Sequence, residues 1–105
     1  MQVSQNIVLI NDKGGNLAIL NRHAEAIDCF DRALELDQNY VLALSNKGFS
    51  LLNVGKIEES KAQFDQTLLI DSNDAYAWYG KAASTLHENN IDRVLDLLEK
   101  ALHLD

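Results

Sequence analysis

The chain has 105 residues, enough for one domain with a modest core, and its 47% hydrophobic and 24% charged residues suit a folded chain rather than a disordered one. Its net charge of −7, with Lys and Arg scattered and no basic patch, argues against partners that are nucleic acid or anionic membrane. No run approaches the ~18 apolar residues of a membrane span, the N-terminus lacks the basic region of a signal peptide, and the single Cys29 excludes an internal disulfide, so a cytoplasmic location is expected.

Taken in chain order, the apolar periodicity predicts helices at about 5–20, 24–36, 41–53, 58–70, 75–88 and 91–104. The first and second carry columns that return 34 residues later, and again after another 34. The stretch from Phe30 to Asp37 is echoed by Phe64 to Asp71 and by Leu98 to Asp105. The other columns are Ile10, Leu44 and Trp78; Lys13, Lys47 and Lys81; Gly14, Gly48 and Ala82; Leu17, Leu51 and Thr85; and Ala26, Ser60 and Val94. A fixed period of this length marks an array of structural repeats.

The break inside each copy falls at Asn21-Arg22-His23, Asn53-Val54-Gly55-Lys56 and Glu88-Asn89-Asn90, where Asn or Gly can adopt the left-handed conformation that ends a helix. Between copies stand Asp37-Gln38-Asn39 and Asp71-Ser72-Asn73-Asp74, which suit caps and tight turns. The small columns let paired helices approach closely: Gly48 faces Ser60 and Thr67, with Leu44, Leu51, Phe64 and Leu68 around the contact. One such hairpin cannot bury its faces alone, so stacking neighbours must complete the core. The expected fold is all-α, an α-solenoid of three antiparallel helix pairs in a single repeat domain spanning 1–105, with repeats at about 7–40, 41–74 and 75–105.

These residues resemble the tetratricopeptide repeat family over residues 7–105. The resemblance rests on Ala77-Trp78-Tyr79 in the last copy, on Gly48, Gly55 and Phe64 in the middle one, and on Gly14, Ala26, Phe30 and Ala33 through Asp37 in the first. It implies a right-handed superhelix of six helices. Three features depart from the family pattern. Gln38 and Ser72 replace the usual proline. Lys13, Lys47 and Lys81 stand where Leu is commoner, and their stems are expected along the helix pair with the ammonium in water. No separate capping helix is expected after the last repeat closes at Asp105, so the outer face of the last helix is expected to be uncovered.

Catalysis finds little support. Cys29 and His23 show no nucleophile–base spacing, and His87 and His103 stand apart. Gly14-Gly15 lacks the Gly-Lys-Ser/Thr of a phosphate loop. Asp92, Asp96 and Lys100 read as a solvated helix surface in which Asp96 pairs with Lys100. No enzyme activity, catalytic residue, metal or cofactor is expected.

The resemblance implies instead a concave groove, lined by the first helices of the repeats, that holds an extended peptide. On this chain its residues are Leu42, Asn46, Phe49, Asn53, Tyr76, Tyr79, Ala83, Leu86 and His87. Phe49, Tyr76 and Tyr79 are the best anchors, although Tyr76 and Phe49 could equally serve packing between repeats. Some relatives grip the acidic C-termini of chaperones with a clamp of Lys, Asn and Arg. The five corresponding positions here are Asn11, Gly15, Asn46, Tyr76 and Gly80, of which Asn46 alone matches, so acidic chaperone tails are not expected partners. The expected role is a protein-interaction scaffold for an apolar or mildly basic segment. The alternative is a homo-oligomer built through the groove or through Ile91, Leu95, Leu97, Leu98 and Leu102 on the last helix, where Leu97 replaces Cys29 and Gln63 of the earlier copies.

Overall fold

The computed structural model describes residues 2–86 and 90–103, with side chains from residue 6 onward. Its six helices are α1 (Gln2–Ile19), α2 (His23–Leu36), α3 (Val41–Asn53), α4 (Ile57–Ile70), α5 (Ala75–Thr85) and α6 (Ile91–His103). They pair as α1 with α2, α3 with α4 and α5 with α6, and the pairs stack into an elongated body of 45 × 25 × 19 Å. The all-α solenoid of helix pairs is therefore the architecture. Helix α1 starts three residues earlier than its periodicity predicts. Helix α5 ends at Thr85 rather than near 88, with Leu86 as its C-cap.

The punctuation follows the sequence. Asn21 takes φ 64° and Gly55 φ 85°, and each closes its helix with the same two bonds. The Arg22 and Lys56 amides donate to Leu17 O and Leu51 O, while the Asn21 and Gly55 amides donate to Ala18 O and Leu52 O. That pattern satisfies carbonyls that the last turn would otherwise leave open. Between copies the turn is built twice in the same way without proline: Asp37 Oδ1 accepts the Asn39 amide and Asp71 Oδ1 accepts the Asn73 amide, each at 3.0 Å. Asp74 then caps α5 by accepting the Ala77 amide at 3.1 Å. The third break, at Glu88-Asn89, lies outside the described residues.

Within each pair, the small column and the Phe column interlock. A β-carbon on Gly14 would come within 2.5 Å of the Phe30 ring, and one on Gly48 within 2.8 Å of the Phe64 ring. Ser60 completes the middle pair by donating its hydroxyl to Gly48 O at 2.9 Å, so the close approach is hydrogen-bonded as well as steric. Phe30 and Phe64 are wholly buried, and Phe30 shares its cluster with Ala43 of the following repeat. The cores of the first two pairs are thus completed by the next repeat.

Two side-chain expectations change. The Lys column does not simply reach water: Lys47 Nζ lies 2.6 Å from Asp31 Oδ1 and Lys81 Nζ lies 2.7 Å from Asp65 Oδ1, each pair bridging one repeat to the next. Lys100 does not pair with Asp96. Its ammonium stands 4.8 Å from the centre of the Trp78 ring, because α6 packs its Lys100 edge over α5.

Candidate functional site

Helices α3 and α5, the first helices of the second and third pairs, carry the described groove residues, with Leu86 at the C-cap of α5. Phe49 is the hub. Its ring meets buried Phe64 edge-on at 4.9 Å, which fixes it from below, and it lies 6.3 Å from the Tyr76 ring and 6.1 Å from the Tyr79 ring. Tyr76 and Tyr79 are 72% and 52% exposed, so the cluster has a rigid base and an open top. Phe49 also borders a hollow between α1 and α3 that is floored by Phe30 and edged by Gly15, Ala18, Asn46 and Asn53.

The polar members are partly committed. Asn46 donates its amide to Asn11 Oδ1 at 3.2 Å, which leaves its carbonyl oxygen and second amide hydrogen for a ligand. Asn53 donates to the backbone carbonyl of Phe49 at 2.9 Å, and its Oδ1 remains an acceptor on the open side. Leu42 is exposed on α3 two turns before Phe49, Ala83 is half-buried one turn after Tyr79, and Leu86 is exposed at the end of α5. His87 lies outside the described residues.

The structure also shows what the clamp positions can accept. Asn11 is 5% exposed beneath α3. Gly80 lies on Phe64 so closely that a β-carbon would fall within 2.3 Å of the ring, which leaves no room for a cationic side chain. At the equivalent position of the next seam, the buried Ser45 hydroxyl has no hydrogen-bond partner among the described residues, since Gly80 stands in the column from which Asn46 serves Asn11 one repeat earlier.

On the last helix the expected apolar face divides in two. Val94 and Leu97 turn inward onto Ala82, and Leu97 is only 6% exposed. Leu97 is therefore core rather than oligomer face: it occupies the column of buried Cys29, which faces the first helix of its own pair. Ile91, Leu95 and Leu102 remain exposed, and Leu98, partly buried on that core, shares with Leu102 and Ala101 a hollow bordered by Ala75, Tyr76 and Tyr79. The two tyrosines thus belong to two surfaces. Among the described residues there is no group of three or more His, Cys, Asp or Glu side chains that could hold a metal ion, and no helix long and apolar enough to cross a membrane.

Sequence reasoning missed the bridging ion pairs, although their signal was present: Asp31, Asp65 and Glu99 form an acidic column at the same 34-residue period as the lysines.

Two family models described as tetratricopeptide repeat match residues 29–62 and 9–40, together just over half of the chain. No curated protein matches the sequence closely enough to count as a relative. Among solved structures, the second TPR of Spaghetti (RPAP3) bound to the HSP90 peptide SRMEEVD is similar with a TM-score of 0.90 at 21% identity, over 99% of this chain and 96% of that one. The Arabidopsis OM64 TPR domain gives 0.91 at 14% identity, over 98% and 85%. YrrB, described as a TPR protein with an unusual peptide-binding site, gives 0.84 at 28% identity over 95% of this chain, which spans about half, 52%, of YrrB.

Proposed function

The chain belongs to the tetratricopeptide repeat family, and from that premise we propose that it is a protein-interaction scaffold whose concave face binds an extended, apolar or mildly basic peptide segment. The observation that carries this reading is the aromatic cluster: Phe49 anchored on Phe64, with Tyr76 and Tyr79 presenting open ring surface beside it. Rigid aromatic side chains lose little conformational entropy on binding, and their electron-rich faces also accept Lys or Arg side chains. Asn46 and Asn53 flank the cluster with unused acceptors that suit the amides of an extended backbone. A net charge of −7 favours the approach of a basic segment over an acidic one.

Domains of the same fold hold acidic chaperone peptides, and this chain is read differently. A carboxylate terminus needs charge-assisted donors. The five positions that would supply them carry Asn11, Gly15, Asn46, Tyr76 and Gly80, with Asn11 buried and Gly80 closed by Phe64. No catalytic role is proposed.

The test is selection of a random peptide library on the immobilised chain, followed by calorimetric titration of the selected sequences beside SRMEEVD. Selected peptides rich in apolar and basic residues, bound at micromolar affinity and weakened by Tyr79→Ala without loss of helical circular dichroism, support the site. Micromolar binding of SRMEEVD, or capture untouched by Tyr79→Ala, overturns it.

A further inference from the structure

The ion pairs between repeats form a series with two open ends. Asp31 holds Lys47 and Asp65 holds Lys81, and the same period leads on to Glu99 and back to Lys13. Lys13 is exposed on α1 with no carboxylate partner among the described residues, and Glu99 is exposed on α6 with His103 alone beside it, at 3.7 Å. The apolar columns end in the same way. On α2 the seam side of His23, Ile27, Phe30 and Leu34 is covered by α3, and each of these is half-buried or buried, whereas the equivalent Ile91, Leu95 and Leu102 of α6 stand open.

We propose that this open face is a seat for α1 of a second copy of the chain, docked head to tail in the manner in which α3 docks on the first pair. Three complementarities favour this occupant. Lys13 of the incoming copy continues the series by meeting Glu99. Leu9 of the same helix, now exposed, takes the column of buried Ala43 and Ala77, and brings a larger side chain where Leu98 has replaced the larger Phe30 and Phe64. At the polar column, where Asn46 donates to Asn11 in the first seam, Asp12 of the incoming copy faces the Tyr79 hydroxyl, an acceptor opposite a donor. A contact between unlike faces leaves both outer ends free, so association is open-ended rather than a closed dimer.

Sedimentation velocity of the 105-residue chain from micromolar to millimolar concentration tests this. The expected result is a mass that climbs past two chains without a plateau. Lys13→Glu and Glu99→Lys should each weaken association roughly tenfold by turning attraction into repulsion. The two reversals combined in one chain should restore it, and Leu102→Asp should abolish it. Lys13, Glu99 and Leu102 are exposed, and an unchanged thermal melt confirms that each variant is folded. A chain that stays monomeric at millimolar concentration overturns the proposal. So does a closed dimer, or association that neither single charge reversal weakens.

Discussion

Gly80 and Gly48, from consecutive repeats, both lie against the Cζ and Cε1 atoms of the Phe64 ring, so that two glycines make room for one phenylalanine. Alanine at Gly80 gains about 1 kcal/mol of helix propensity but must displace the wholly buried Phe64 ring, which its β-carbon would meet at 2.3 Å. Gly80→Ala is therefore expected to destabilise the chain by about 1–2 kcal/mol in urea unfolding. Gly15 is the control, since nothing lies within 4 Å of its added β-carbon, and Gly15→Ala should stabilise by about 0.5–1 kcal/mol.

Two of the buried serines of α3 and α4, Ser60 and Ser45, should respond in opposite directions. Ser60 donates to Gly48 O, so Ser60→Ala leaves a buried carbonyl short of a donor and should cost about 1 kcal/mol or more. The Ser45 hydroxyl is buried with no partner, so Ser45→Ala should be neutral or stabilising by up to about 1 kcal/mol. Thermal melts of the two variants decide it.

The seam ion pair between Asp65 and Lys81 is half open to water, with the two side chains 52% and 22% exposed. A double-mutant cycle of Asp65→Ala and Lys81→Ala should give a coupling of about 0.5 kcal/mol. The coupling should fade in 1 M salt, where the screening length is about 3 Å.

Leu97 and Leu102 lie five residues apart on α6 but on different faces. Leu97→Ala removes a buried side chain from the Ala82 and Val94 cluster and should cost about 2–3 kcal/mol. Leu102→Ala, at an exposed position, should stay within about 0.5 kcal/mol of the wild type in dilute solution.

By itself the sequence determined the array. Columns 34 residues apart, turn residues at each break and glycine opposite phenylalanine are local or strictly periodic signals, and six helices follow from them within a few residues at each end. The division of labour among side chains on those helices was decided by the tertiary structure. Lys47 and Lys81 looked like solvated stems because their partners, Asp31 and Asp65, stand 16 residues earlier on a different repeat. Leu97 looked like surplus surface because the angle at which α6 meets α5 is set by packing, and that angle turns Leu97 onto Ala82 while it leaves Leu102 outside. The groove shows the same limit: period alone places Tyr76, Tyr79 and Phe49 on first helices, but only the stacking of one repeat on the next brings the Tyr76 and Tyr79 rings to 6.3 and 6.1 Å from Phe49 and closes Gly80 against Phe64. A repeat fixes which column a residue occupies. What that column touches depends on whether a neighbour covers it.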